Sequence, residues 1–394
     1  DFNIPQRWSI AHLYQAMLNK EEHVKDIAYI TTLAGYVHQV LTGKRVMGIG
    51  EASGMFPINS TKNDYDEEML EKFRKLTSVD LRKLLPEIRL AGEEAGKLSE
   101  EGAKYLDPSG ELEAGITVVP CEGDAGTGMV ATNSVRVRTG NVSAGTSDFA
   151  MVVTDKKLRR HREIDMVTTP CGKPVAMVHC NNCTSDFDAW AGLFLEVIEA
   201  SGNHMEMNDL FQMLYKKSLE GDPDCGGVMV YNYVSGEPVT GLIEGRPLTV
   251  RKVDASFTLA NFLRAELYST LAALRIGMRI LDREQVAIER LMGHGGLFKT
   301  PGVSQLYLAA AAETDVSVMP NAGEGGPYGM ALLTDYMLNR KEGESLEDFL
   351  ENTIFSTGER ITVSPDEETV KGYRKYLDDY IAALGIEEKA AELF

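Results

Sequence analysis

The sequence predicts an α/β protein built as two lobes, and three observations lead there. A chain of 394 residues with 43% hydrophobic content is long and apolar enough for two domains with sizeable cores. Helical spacing of apolar residues dominates from Trp8 to about Leu106, whereas short β-branched runs alternate with helical segments from Gly115 onward. Three glycine-rich turns punctuate the second part, at 122–128, 143–147 and 293–296.

In order along the chain, Leu13, Ala16 and Met17 recur at helix spacing, and the apolar pattern from Ile27 to Leu41 ends at the stop signal Thr42-Gly43. Tyr65 to Leu76 and Leu81 to Leu98 read as two more amphipathic helices, so this part is expected to have no sheet of its own. Gly115 to Pro120 is a short β-branched run ending at the acid turn, Val135 to Val142 with Phe149 to Thr154 reads as a hairpin, and a strand follows at Val175 to Val178. Helices are expected over Phe187 to Ala200, Asp209 to Ser218 and Ser256 to Leu281. Val286 to Met292 is then a strand, Val303 to Thr314 a helix, Asp315 to Met319 a strand and Glu367 to Leu384 a closing helix. The lobe boundary falls between Cys121 and Ala131, separating a mostly helical remainder of a substrate lobe (1–128) from a nucleotide lobe (129–394). A weak internal echo joins Gly123 to Met129 with Gly323 to Ala331, both reading as glycine-lined helix starts.

The chemistry concentrates in the turns. Asp124 sits alone among glycines, and Thr146 of Gly145-Thr146-Ser147 follows it by 22 residues. Phosphoryl transfer to an alcohol asks for such a pair: a carboxylate to take the hydroxyl proton, and small residues that let backbone N–H groups and a threonine hydroxyl approach phosphate oxygens. Gly, Asp, Ser and Thr also form ordinary turns, and Asp124 could equally cap a helix starting at Thr127. The third turn, Gly293-His294-Gly295-Gly296, links a strand to a helix, an arrangement that presents backbone donors to a phosphate.

Taken together, these segments resemble the FGGY carbohydrate kinases, which include glycerol, xylulose, ribulose and gluconate kinases. The helix start Ser185 to Trp190 and the Arg-Ala helix in Asn261 to Ala273 resemble further segments of that family. The resemblance implies a two-lobed actin-like, ribonuclease H-like ATPase fold that moves the γ-phosphoryl of Mg²⁺-bound ATP to a small sugar or polyol, ketopentoses first. It makes Asp124 the general base and sets Gly145, Thr146 and Ser147 at the phosphates. Gly295, Gly296, Thr300, Ser185, Asp188 and Gln305 would lie toward the adenosine, and Arg7, Trp8 and Phe149 toward the sugar. No metal ligand is nominated among the residues themselves. The family's opening Asp-x-Gly-Thr hairpin is not found in these 394 residues, so the first lobe is expected to be incomplete and the chain alone inactive. A non-catalytic nucleotide-binding or regulatory relative is the alternative. Gly236-Glu237-Pro238 and the histidine in the third turn also depart from the family pattern.

Other classes fit poorly. A formal charge of −19 disfavours nucleic acid as a partner. No run approaches the roughly 20 apolar residues that span a bilayer, and the five scattered cysteines read as reduced cytoplasmic thiols. His179-Cys180-Asn181-Asn182-Cys183 lacks the second pair that a zinc site needs. His294-Gly295-Gly296 resembles a hydrolase oxyanion loop, but the Gly-x-Ser-x-Gly elbow is missing around Ser143. A homodimer is compatible with the sequence, which does not specify the sugar.

Overall fold

The computed structural model describes residues 2–319, 325–357 and 360–394. Its first part contains α1 (Ser9–Leu18), α2 (Leu33–Thr42), β1 (Val46–Gly48), α3 (Ile49–Ser53), β2 (Ile58–Asn59), β3 (Asp64–Tyr65), α4 (Glu67–Thr77), β4 (Glu87–Arg89), α5 (Glu100–Leu106) and α6 (Asp124–Ala131). Local chemistry sets the helix ends. The Thr32 hydroxyl accepts from Gly35 N–H to start α2, and Gly43 ends it with a left-handed φ of 71°. Asp66 caps α4 in the same way, accepting from Met69 N–H at 3.0 Å.

Two expectations fail in this part. Leu81 to Leu98 gives one 3₁₀ turn, Leu81–Lys83, and then β4, which pairs in parallel with β1 through Met47 opposite Ile88. Pro86 and two glycines at positive φ, Gly92 (84°) and Gly96 (130°), interrupt the apolar spacing that suggested a helix. A small sheet therefore exists where none was expected. The β-branched run Gly115 to Pro120 forms no strand, its Thr117 making an isolated bridge to Lys97.

The second part runs β5 (Thr139–Ala144), β6 (Asp148–Val153), β7 (Asp165–Thr168), β8 (Pro174–Cys180), α7 (Ser185–Ala200), α8 (Met207–Ser218), β9 (Val228–Tyr231) and β10 (Leu248–Arg251). There follow α9 (Leu259–Ser269), α10 (Ala272–Arg283), β11 (Arg290–His294), α11 (Val303–Ala312), β12 (Val316–Val318), α12 (Gly325–Asn339), α13 (Leu346–Phe349), β13 (Ile361–Val363), α14 (Glu367–Ala382) and α15 (Gly385–Leu393). The helix expected over Ser256 to Leu281 is two, broken at Thr270 and Leu271, and the expected closing helix is followed by another.

Among the described residues, seven strands form one mixed sheet in the order β13-β12-β11-β5-β6-β8-β7. β11 lies parallel to both β5 and β12, while β5-β6 is the antiparallel hairpin expected around the Gly-Thr-Ser turn. The alternating pleat sends Ala150 and Val152 into a core with α8 to α11 and α14, and sends Met151 and Val153 into a second core with Trp8, Met47, Ile49 and Phe56. One sheet thus separates two apolar interiors. Across the middle, α6 packs on α12 so closely that a Cβ on Gly329 would lie 2.2 Å from the Thr127 carbonyl oxygen. These are the two helices of the internal echo, although Gly323 and Glu324 lie outside the described residues.

Candidate active site

Asp124 is the first residue of α6, with Gly123 as the N-cap. It is exposed, and among the described residues its Oδ1 accepts only from Ala125 N–H, at 2.8 Å, so it does not cap the helix as a turn aspartate would. The carboxylate borders a 190 Å³ cleft whose walls include Arg7, Trp8, Glu51, Met151, Thr168 and Met177. Two residues expected on the sugar side therefore meet the expected base in one cavity. Trp8 is a buried wall, 2% exposed, and Arg7 is ion-paired to Asp165, which Asn3 also contacts at 2.8 Å. Phe149 does not line the cleft. It stacks on His179 across β6 and β8, with ring centroids 6.4 Å apart and 7° between planes. Burial first, then the nearby Arg7 charge, lowers His179 to about 4, so this ring is neutral at pH 7.

The glycine turns assemble at neighbouring strand ends. Parallel pairing sets His294 opposite Ser143, so the Gly295-Gly296 turn emerges next to the Gly145-Thr146-Ser147 turn. Gly295 needs its lack of side chain, because φ is 99° and a Cβ would sit 2.4 Å from the Ala144 carbonyl oxygen. Gly145 and Gly296 differ, with open space among the described residues where a Cβ would be. Thr146 is exposed at the tip of its hairpin, where the Ser147 carbonyl accepts from Gly145 N–H at 2.9 Å. The segment leading into α7 docks on the same turn: Thr184 N–H donates to Gly145 O at 3.0 Å and Cys183 N–H to Thr146 O at 3.1 Å. That brings Ser185 and the exposed Asp188 to the turn, Asp188 accepting from the Thr184 hydroxyl at 3.2 Å.

His294 joins the two regions. A Cβ on Gly128 would lie 3.8 Å from His294 Cε1, and Asn141 Nδ2 is 3.0 Å from His294 Nε2. Gly128 stands one helical turn, about 6 Å, along the helix that Asp124 begins. The acid and the glycine turns thus belong to one neighbourhood. Burial lowers His294 to about 4, making it a neutral hydrogen-bonding spacer. Two expected nucleotide contacts face inward instead. Thr300 is 4% exposed, and Gln305 accepts from Gly302 N–H at 2.9 Å while donating to Ile361 O, so its amide is spent on starting α11.

Sequence reasoning missed Glu51 and set Glu122 aside. Glu122 is buried beneath α3 and accepts from Gly50 N–H at 3.1 Å and Glu51 N–H at 2.7 Å. Burial pushes its carboxyl up to about 8 against the pull of those donors, with the Glu51 charge adding to the rise. Glu51 itself is raised by burial first and by Asp124 as a like charge, the Thr32 hydroxyl opposing. The one available signal was glycine at both 48 and 50 ahead of an acid, since a Cβ at either would lie within 2.4 Å of a Glu122 carboxylate oxygen.

Residues 13–131 match the N-terminal domain of the FGGY family of carbohydrate kinases and residues 140–338 its C-terminal domain. The chain belongs to this family. It is 22% identical over 352 residues to a xylulose kinase of Haemophilus influenzae, an alignment covering 89% of this chain and 66% of that protein. Among solved structures, ligand-bound xylulose kinase from Lactobacillus acidophilus superposes with a TM-score of 0.77 at 16% identity, over 97% of this chain and 73% of that one. Plasmodium falciparum glycerol kinase with ADP gives 0.71 at 15% identity, over 98% and 75%. The fold is the two-lobed actin-like ATPase fold. Among the described residues no helix is long and apolar enough to cross a membrane.

Proposed function

We propose that this protein transfers the γ-phosphoryl group of ATP to a hydroxyl of a small sugar or polyol, a ketopentose such as xylulose being the favoured acceptor. One observation carries the reading: an exposed carboxylate, Asp124, opens onto a 190 Å³ cleft at the start of a helix whose next turn abuts the glycine-lined strand ends. Similarity to the Haemophilus xylulose kinase supports the choice of sugar. The expectation that the chain alone is inactive draws no support from this site, in which acid, cleft and glycine turns stand together.

Asp124 orients the attacking hydroxyl and accepts its proton late, since the loose transition state of phosphoryl transfer needs little early deprotonation. The open faces of Gly145 and Gly296 fit a phosphate chain, because backbone N–H groups can approach it there with no Cβ in the way. Thr146 supplies a hydroxyl donor. Mg²⁺ neutralises charge on the β- and γ-phosphates when bound, and it is commonly held by one or two carboxylates plus those phosphates rather than by an all-protein cage. Of the two cleft carboxylates, Glu51 and Asp124, the exposed Asp124 would serve it. The reading includes a substrate lobe over 1–128, a nucleotide lobe over 129–394 and, given five free thiols, a cytoplasmic setting.

ADP release by the full-length protein across ketoses, aldoses and polyols tests the proposal. Asp124→Asn is expected to lower kcat by roughly 10²- to 10⁴-fold while leaving ATP binding intact. Full turnover in that variant removes the acid from the mechanism, and lack of stimulation by every sugar removes the acceptor class.

A further inference from the structure

We propose that Glu51 determines acceptor specificity: its carboxylate takes a second hydroxyl beside the one Asp124 orients, selecting neutral polyhydroxylated acceptors over anionic sugar acids. The proposal rests on the kinase reading for the role of Asp124, but not for the site's geometry.

The polar side chains around the cleft decide the matter. Arg7 spends one guanidinium nitrogen on Asp165, which offsets its charge, and the Thr168 hydroxyl donates to Ile49 O at 3.1 Å. Glu51 and Asp124 remain, and among the described residues neither forms an ion pair. An ionised carboxylate only accepts hydrogen bonds, so these two residues offer a ligand acceptors for hydroxyl donors. Two acceptors on one small cavity fit two hydroxyls of one molecule. A carboxylate-bearing acceptor would meet like charge.

Glu51 is also held in place. Its own N–H and that of Gly50 are fixed by the buried Glu122, and its side chain lies against the residue preceding Asp124, where a Cβ on Gly123 would fall 2.1 Å from Glu51 Oε2. Gly123 is thus the floor on which the Glu51 carboxylate rests. A methyl group there displaces the carboxylate without removing it.

The test pairs kinetics with calorimetry on wild type, Glu51→Gln and Gly123→Ala, using xylulose and gluconate as probes. Both variants are expected to raise the KM and the Kd for xylulose roughly 10- to 100-fold, the effect of losing a hydrogen bond to a charged acceptor, with the KM for ATP unmoved. Wild type is expected to bind xylulose at least tenfold more tightly than gluconate, and Glu51→Gln to narrow that ratio. Unchanged xylulose binding in Glu51→Gln, or a wild-type preference for gluconate, overturns the proposal. Xylulose binding that depends on Glu51 without any ADP release would uphold it and defeat the kinase reading instead.

Discussion

At the scale of single residues, the site is a contrast between two acids two positions apart. Asp124 is exposed and free to meet a ligand, whereas Glu122 is sealed under α3 and serves the backbone. Glu122 leaves a thermodynamic signature. Its carboxyl titrates near 8 in the fold against an ordinary value of 4.5, so between those limits the unfolded chain has released a proton that the folded protein still holds. Its contribution to stability is therefore complete below pH 4.5, declines as pH rises and is lost above about 8. Urea unfolding from pH 5 to 9 should show Glu122→Gln losing less stability with rising pH than wild type does, by up to about 1.4 kcal/mol per pH unit. Parallel profiles for the two proteins would contradict a neutral buried Glu122.

At the scale of elements, what could be read in the sequence was what short-range chemistry writes. The hairpin around Gly145-Thr146-Ser147 was legible, as was a helix after the Asp124 turn, expected from Thr127 and found to begin at Asp124 itself, because glycine turns and alternating apolar runs are local signals. The β1-β4 pairing was not, because it joins three-residue strands about 40 residues apart, neither carrying an alternation of its own. Glu51 was hidden for a related reason: α3 has five residues, too few for any periodicity, and its acid reads as a solvated surface residue until Gly123 is brought beneath it from 72 positions away. Gln305 illustrates the opposite error, a polar side chain at a promising spacing that the fold uses to start a helix. The α6-α12 crossing makes a prediction at this scale. Gly329→Ala forces a methyl group toward the Thr127 carbonyl and should cost on the order of 1–3 kcal/mol by denaturant titration, with a matching fall in activity because α6 carries Asp124. An unaltered midpoint would show that the helices can separate freely.

At the scale of the whole molecule, the seven-stranded sheet couples two interiors. Trp8 belongs to one core, and Trp190 packs against the other, 4.9 Å from Phe262 between ring centroids. Because neighbouring residues of β6 and β8 face opposite cores, neither interior can melt while its sheet stays intact for the other. Fluorescence of Trp8→Phe and Trp190→Phe should follow unfolding curves of the same shape, each coinciding with loss of circular dichroism from its own variant. Two separated transitions would mean that the cores are independent.

That same sheet bears on how such proteins can be recombined. A chimera spliced between Cys121 and Ala131 would take its first segment from one parent and, from the other, Met151, Val153, Val167, Val175 and Met177, strand residues of the core in which that segment packs. Unless those five positions travel with the upstream segment, the graft sets two unrelated surfaces face to face. The covalent junction is easy to choose, but the seam that must match runs through the middle of the downstream parent.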